Sequence, residues 1–437
     1  MRSSTRGFGA VMSNASPPPN PVSAAIDSRS PLAQAFARFG RMWSARIGLA
    51  LLIAYFSIAT YAPFITSEVA LWWSDEDGLR FPVITDLFNR NSYAKPHHLL
   101  FNTLALLLPV HLILWWALGR FAAWTVSQRV LLILGLQVTV MLLCWIPFGS
   151  PGGEGGSRRA LWDQRQRPTE TFRNFQQIRQ EGEQSPRALF APIPHSYSTN
   201  FFAYQPMGSV NPETERRFHW GTDDRGADIV ARMFFGARIS LTIGIVAVGL
   251  SMFIGIVLGA VSGYFGGWVD LIIQRMVEIM MAFPTFILVL VVVAMFSRDI
   301  YLIMIVFGLT GWAGTTRLVR GEFLAQTGRE YVLAAEALGL TKTRIMFRHI
   351  LPNVLTPLLI SAAFGMAGMV LAESSLAFIG MGDDTVPSWG SLLDVGRQQV
   401  SYGWLIWIPG LAIFGLVASL NLVGNALREA LDPKGDA

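Results

Sequence analysis

Few residues in this chain of 437 could do chemistry. Its six histidines are His97, His98, His111, His195, His219 and His349, and its single cysteine is Cys144. Only His97 and His98 cluster, and residues adjacent in sequence point to different faces of a helix, so they make a poor metal site. His111 lies in an apolar run with no evident serine partner for nucleophilic chemistry. A lone cysteine excludes an intrachain disulfide and a cysteine-rich metal centre. The sequence holds neither a G-x-x-x-x-G-K-[ST] phosphate loop nor an H-E-x-x-H pair. No catalytic residue, metal or cofactor is therefore expected, and the chain should not hydrolyse ATP by itself.

A different kind of chemistry is suggested by "EYVLAAEALGLTKTRIMFRHILPN", Glu330 to Asn353, set between two apolar runs. Tyr331, Ala334, Ala335 and Leu338 fall at i, i+3, i+4 and i+7, one face of a helix. Alanines on that face permit close approach of another backbone. Gly339 suits a helix C-terminus, where positive φ costs glycine nothing. Thr341 or Thr343 can begin a second, basic helix, and Pro352 can end or kink it. This predicts a helix–turn–helix on a membrane surface, held either by anionic lipid or by a partner protein.

The elements that must position these residues follow from composition. The chain is 52% hydrophobic and only 14% charged, with mean hydropathy +0.42. Soluble domains carry about 25% charged residues. The apolar residues form runs of roughly 18 to 26, enough to cross about 30 Å of hydrocarbon as helix. An all-α, polytopic membrane protein of eight spans is predicted, near 47–65, 99–118, 130–148, 239–261, 279–296, 300–316, 354–379 and 404–425. Placing 1–46 in the cytoplasm puts 17 Lys and Arg on that side and 5 in the short segments opposite. That asymmetry predicts cytoplasmic N- and C-termini.

Residues 1–46 open with Ser-, Pro- and Ala-rich sequence and read as a disordered cytoplasmic tail, and 426–437 as a second tail. Segment 149–238 begins with the flexible "GSPGGEGGS" and could hold a helix near 168–182. Its thin apolar content predicts a loosely folded external cap. Thr222, Asp223 and Asp224 of "GTDDRGAD" read as turn or cap acceptors, with ligand contact as the alternative. Gly255, Gly259 and Gly263 make a GxxxGxxxG face suited to close helix packing. Pro284 should loosen the start of the fifth span or simply open a helix. Glu373 is an acid near the outer end of the seventh span. Charge there is costly, and it suits either an interhelical hydrogen bond or a pathway lining.

Ala334, Ala335, Gly339, Leu351 and Pro352 stand in a layout that resembles the EAA loop of ATP-binding cassette (ABC) importer permeases. Leu333 departs from that pattern where the family's glutamate would be, and His349 where isoleucine is common. The stretches "GTDDRGADIVARMFFGARISL", "GYFGGWVD", "FPTFIL", "GWAGTTRLVRGEFL" and "AESSLAFIGMG" followed by "PSWGSLL" also look like the dipeptide, oligopeptide and nickel branch, second-permease type. The resemblance covers roughly 218–435 densely. It implies a type I permease core, 239–425, with a coupling loop at 322–352 that docks on an ATPase subunit. Tyr331, Ala334, Ala335, Gly339, Leu340, Arg344, Leu351 and Pro352 would carry that coupling.

The resemblance also implies two ATP-binding subunits, a homologous permease partner, and a periplasmic or lipid-anchored substrate-binding protein, in a bacterial inner membrane. The chain departs from the family in the inserted pair of spans within 99–148, which predicts peripheral packing or contact with an accessory subunit. Two other classes remain open at this point. An ion-gradient-driven transporter would want paired intramembrane acids or broken helices in both halves. A membrane anchor or intramembrane enzyme would have no use for the 330–352 loop.

Overall fold

The computed structural model describes residues 35, 37–76, 78–89, 92–93, 95–120, 124–145, 147–148, 159–160, 170–181, 186–199, 204–211 and 215–431. Residues 1–34 of the expected tail, the "GSPGGEGGS" tether and residues 432–437 lie outside them.

Long apolar helices dominate. The first, α1 (Trp43–Ile65), is followed by the hairpin strands β1 (Trp72–Asp75) and β2 (Gly78–Arg80) and the short α2 (Pro82–Asp86). The inserted pair follows as α3 (Pro96–Arg120) and α4 (Val126–Trp145). The strand pair β3 (Pro147–Phe148) and β4 (Arg159–Ala160), the amphipathic α5 (Phe172–Gln180) and β5 (Arg187–Leu189) lead to α6 (Ile229–Phe265). Next are α7 (Gly267–Ala282), α8 (Thr285–Met295), α9 (Ile300–Thr327), α10 (Glu330–Ala337) and the single turn α11 (Lys342–Arg344). A π-helical turn, Ile345–Ile350, runs into α12 (Leu351–Leu376). α13 (Trp389–Gln398) and α14 (Trp404–Leu431) complete the chain.

Among the described residues seven helices are long and apolar enough to span a membrane, and α7 with α8, bent by 74°, make either one broken span or a re-entrant loop. Seven of the eight expected spans correspond to such helices, and the fifth is not a simple helix over 279–296. α8 alone, 11 residues, is about 16 Å of helix and too short to cross. The break follows from Pro284, which has no N–H and pushes the residue before it out of helical conformation. Phe283 accordingly sits at φ −88°, ψ 130°. Several helices overrun the hydropathy limits: α6 begins ten residues before 239, and α9 continues eleven past 316. Backbone hydrogen bonding does not stop where the first arginine meets the headgroup layer.

α6 and α9 pack along much of their lengths. A Cβ on Gly255 would come within 2.6 Å of Thr315 Cγ2, one on Gly259 within 2.6 Å of Val319 Cβ, and one on Gly263 within 2.7 Å of Phe323 Cβ. The small-residue face lets the two backbones approach where lipid supplies no hydrophobic drive. α12 and α14 pack beside this pair, and α1 lies against α14 and α6. α13 docks on α6 through Trp389, whose Nε1 donates to Met233 O at 2.9 Å.

At one end the bundle carries a cap. Thin apolar content predicts a loose segment at 149–238, but its described parts fold with residues 66–93. β1 pairs antiparallel with both β2 and β5. Phe172, Phe175 and Phe190 form an aromatic cluster with ring centroids 4.9 to 6.4 Å apart. The core of the cap is shared between two segments, so neither shows a full hydrophobic pattern alone. α5 falls within the window expected to hold a helix, and Thr171 caps it by accepting from Asn174 N.

Candidate functional site

At the end of the bundle opposite the cap, the chain leaves α9, forms α10 and returns as α11 and α12. α10 ends in a glycine-dependent turn. Gly339 has φ +74°, and nothing lies within 4 Å of a Cβ placed there. Its N–H donates to Glu336 O at 2.9 Å, and the Leu340 N–H donates to Ala335 O at 3.2 Å. These two bonds form a Schellman motif, with Leu340 folding back toward Ala335. Backbone conformation, not crowding, is what demands glycine here.

The turn gives α10 two unlike faces. Val332 and Ala335 are buried against Val319 and Phe323 of α9, Ala260 of α6 and Ile350 beyond the turn. Tyr331, Leu333, Ala334, Ala337 and Leu338 are exposed, Leu338 at 80%. The stripe Tyr331, Ala334, Ala335 and Leu338 is therefore divided: Ala335 faces the bundle and the other three face out. The larger apolar partners of Val332 decide the inward face, and they come from distant parts of the chain.

Polar contacts fix α10 to the helices around it. The Tyr264 hydroxyl at the end of α6 donates to Glu336 Oε1 at 3.0 Å. The Tyr331 hydroxyl donates to Gln326 Oε1 of α9 at 2.9 Å and accepts from Asn353 Nδ2 of α12 at 3.2 Å. Arg320 of α9 grips Asp270 of α7 with two bonds of 2.6 Å, a bidentate geometry specific to arginine. Tyr264, Asp270, Arg320 and Asn353 were not singled out by sequence as coupling residues; their signal is a polar side chain at the water-facing end of an apolar helix.

The second half of the loop differs from the expected separate basic helix. α11, the π-helical turn and α12 run on as one continuous helix from Lys342 to Leu376. Pro352 neither ends nor kinks it. The π turn absorbs the proline: Leu351 N–H donates five residues back to Met346 O, so the hydrogen-bond register shifts just before Pro352, which has no N–H to donate. Thr341 is the N-cap by backbone, without a side-chain cap bond. Arg344 and Pro352 are exposed and Leu351 is half-buried.

The remaining singled-out residues lie elsewhere. Gly255, Gly259 and Gly263 face α9, and Pro284 sits at the α7–α8 break. Glu373 is buried near the cap end of α12, in contact with the Ser374 and Ser388 hydroxyls, so it links α12 to the start of α13. It lines neither the cavity bounded by Glu68 and Asp86 nor the apolar one between Leu52, Leu241 and Met366. Asp223 accepts from the Arg225 and Ala227 amides and pairs with Arg232, and Asp228 caps α6 through Ala231 N. His97 and His98 are both buried at the start of α3. His97 shares a 2.9 Å hydrogen bond with the Tyr301 hydroxyl, and His98 lies 3.2 Å from Arg238 Nη1. Among the described residues no group of three or more His, Cys, Asp or Glu could hold a metal.

Arg238 is the cation that hydropathy hides inside α6. It is fully buried, donating to Ala59 O at 2.7 Å and Asn102 Oδ1 at 2.8 Å, between the Phe101 and Phe235 rings. It therefore ties α6 to α1 and to the inserted α3. Lys95, just before α3, bridges Asp299 at 2.6 Å and Asp383 at 3.2 Å. Burial opposes the Lys95 ammonium, but the two carboxylates outweigh it and hold its pKa above the usual lysine value.

Residues 255–435 match the family described as binding-protein-dependent transport system inner membrane component. A dipeptide transport system permease protein from Alkalihalophilus pseudofirmus is 37% identical over 56% of this chain and 81% of its own length. An oligopeptide transport system permease protein from Haemophilus influenzae is 38% identical over 52% of this chain and 74% of its own. A glutathione transport system permease protein from Pectobacterium atrosepticum is 35% identical over 54% and 78%. These relatives set the ion-gradient alternative aside. The chain belongs to the family of binding-protein-dependent transport system inner membrane components, and is a multi-pass permease subunit of the ABC importer kind.

Proposed function

We propose that this subunit pairs with a homologous permease to form a pathway for peptides or similar small solutes, and that α10 is where ATPase subunits act on it. The names of the dipeptide, oligopeptide and glutathione relatives support the substrate class. The distribution of Lys and Arg supports cytoplasmic termini and a cytoplasmic α10, with the cap outside. A substrate-binding protein would deliver solute at the cap end.

One observation carries the coupling role. α10 presents Leu333, Ala334 and Leu338 to solvent while its other face is anchored to α6, α9 and α12. Exposed apolar residues on a short anchored helix mark an interaction surface. A push on that face reaches three spans at once, because packed interiors shift as rigid bodies. ATP binding then favours one arrangement of the bundles and hydrolysis releases the other. Departure of Leu333 from the family's glutamate removes a charged contact and leaves an apolar one.

The test is co-purification with the ATPase subunits. Leu338→Asp places a charge on the exposed face and should lower ATPase recovery at least tenfold with an unchanged melting temperature. Gly339→Val, which forces a β-branched residue to positive φ, should cost about 1–2 kcal/mol in the turn and also lose the partner. Full recovery of ATPase with both variants would overturn α10 as the docking element.

A further inference from the structure

An apolar cleft of about 390 Å³ opens among α1, α3, α6, α12 and α14, within the membrane-spanning part of the bundle. Its size falls in the range of small-molecule sites. Val370, Leu416 and Leu420 are buried along its floor, and Leu108 of the inserted α3 adds a wall. Ile53 and Ile245, each more than half exposed, stand where it meets lipid. Among the described residues no charged side chain lines it, but two hydroxyls do, Ser57 of α1 and Ser240 of α6. Ser240 is fully buried, and its Oγ has no hydrogen-bond partner among the described residues. Helical hydroxyls commonly donate to the carbonyl one turn back. Thr242 does so, to Arg238 O at 2.6 Å, whereas Ser240 keeps its donor for the cleft. Both serines lie at the cap-side end. Arg238 donates to Ala59 O, α1 runs toward the cap and α6 away from it, so Ser57 and Ser240 stand just below that bond. Leu52 and Ile245 follow about 7.5 Å deeper along their helices. A hydroxyl left unpaired in hydrocarbon is costly, and a bound acceptor would relieve it.

We propose that this cleft holds one acyl chain of a phospholipid from the cap-side leaflet, with the Ser240 hydroxyl donating to the chain's ester carbonyl. The order of the lining carries the choice: a donor at the cap end, then only apolar side chains toward the middle of the membrane. An acyl ester has the same order, one acceptor followed by hydrocarbon. A peptide would bring several backbone amides, which these leucines could not satisfy. The headgroup makes no contact, since no charged side chain among the described residues faces the cleft. The lipid would join the inserted α3 to α1, α6, α12 and α14. The inference rests only on the chain spanning a membrane, and stands whatever solute crosses it and wherever the ATPase docks.

Photolabelling of the full chain in phosphatidylcholine vesicles tests this. The probe is a trace of phosphatidylcholine with a diazirine midway along one chain, in an ester-linked and an ether-linked form, and labelled peptides are read by mass spectrometry. The ester form should label Met366, Val370 and Leu420 about fivefold more than the ether form, which lacks the carbonyl. Both forms should label Leu131 and Leu134 of α4 equally, because these are exposed and border no such cleft. Ser240→Ala should remove the ester preference with an unchanged melting temperature. A Cβ on Gly244 comes no closer than 3.5 Å to Met366 Cβ, so Gly244→Leu can fill the cleft and should suppress labelling there while leaving α4 labelled. Equal labelling of the cleft by the two forms, or none by either, overturns the proposal. So does an ester preference that survives Ser240→Ala, or cleft labelling that survives Gly244→Leu.

Discussion

The Tyr264 hydroxyl donates to Glu336 Oε1 across 3.0 Å, joining the last turn of a membrane-spanning helix to the short helix outside it. The two residues are 72 apart in sequence. The bond sits at the surface, so its net contribution to stability is under about 1 kcal/mol. Its consequence is mechanical: α10 cannot shift without drawing on α6.

Tyr264→Phe should therefore leave the melting temperature within about 2 °C while loosening transmission. In reconstituted transporter, ATP hydrolysed per solute moved should rise severalfold. An unchanged ratio would show that packing of Val332 and Ala335 alone carries the motion.

Gly259 is a tight point of the α6–α9 contact, with Thr316 O 2.7 Å and Val319 Cβ 2.6 Å from a Cβ placed there. Gly259→Leu should cost about 1–3 kcal/mol through overpacking, seen as a lower melting temperature in detergent. Gly249, on the same helix with nothing within 4 Å, should accept the same change without loss.

Arg238→Met strands two acceptors, Asn102 Oδ1 and Ala59 O, in the interior. Each buried group left unpaired costs about 1–3 kcal/mol. The inserted pair α3–α4 should loosen first, because Asn102 belongs to it. Cysteine cross-linking between α3 and α6 should slow in the variant and stay fast in the parent.

Asp86 gives the cap a pH dependence of definite sign. Its folded pKa of about 6 lies above the ordinary value of 3.8, so the native state holds the proton more tightly. The advantage is complete below about pH 4, is lost as pH rises through 6, and is absent above. Amide exchange around Ser92 and Tyr93 should accelerate between pH 4 and 7 beyond the intrinsic rate. The full span is about 3 kcal/mol. Asp86→Asn should flatten that part of the profile. Asp299, where burial works against ionisation but the Lys95 bond and the Tyr301 amide prevail, has a depressed pKa, so its contribution is lost only as pH falls below the ordinary carboxylate range.

Much of the candidate site was legible because its signals are local. Hydropathy adds up residue by residue along a helix, so seven long apolar helices and one bent pair could be located. Gly339 announced a turn because positive φ is a property of one residue, and Gly255, Gly259 and Gly263 announced a contact face by spacing alone. What faces what was not legible. Ala335 turns inward because Phe323, Ile350 and Ala260 meet it there. Arg238 stays inside a helix because Ala59 and Asn102, more than a hundred residues earlier, offer it oxygen. The cap closes because residues near 70 pair with residues near 190. The sequence by itself determined where the apolar helices lie and the glycine turn, both governed by near neighbours along the chain. Only the tertiary structure decided the exposed face of α10, the cap cavity and the ties of the inserted pair, since each depends on groups brought together by folding.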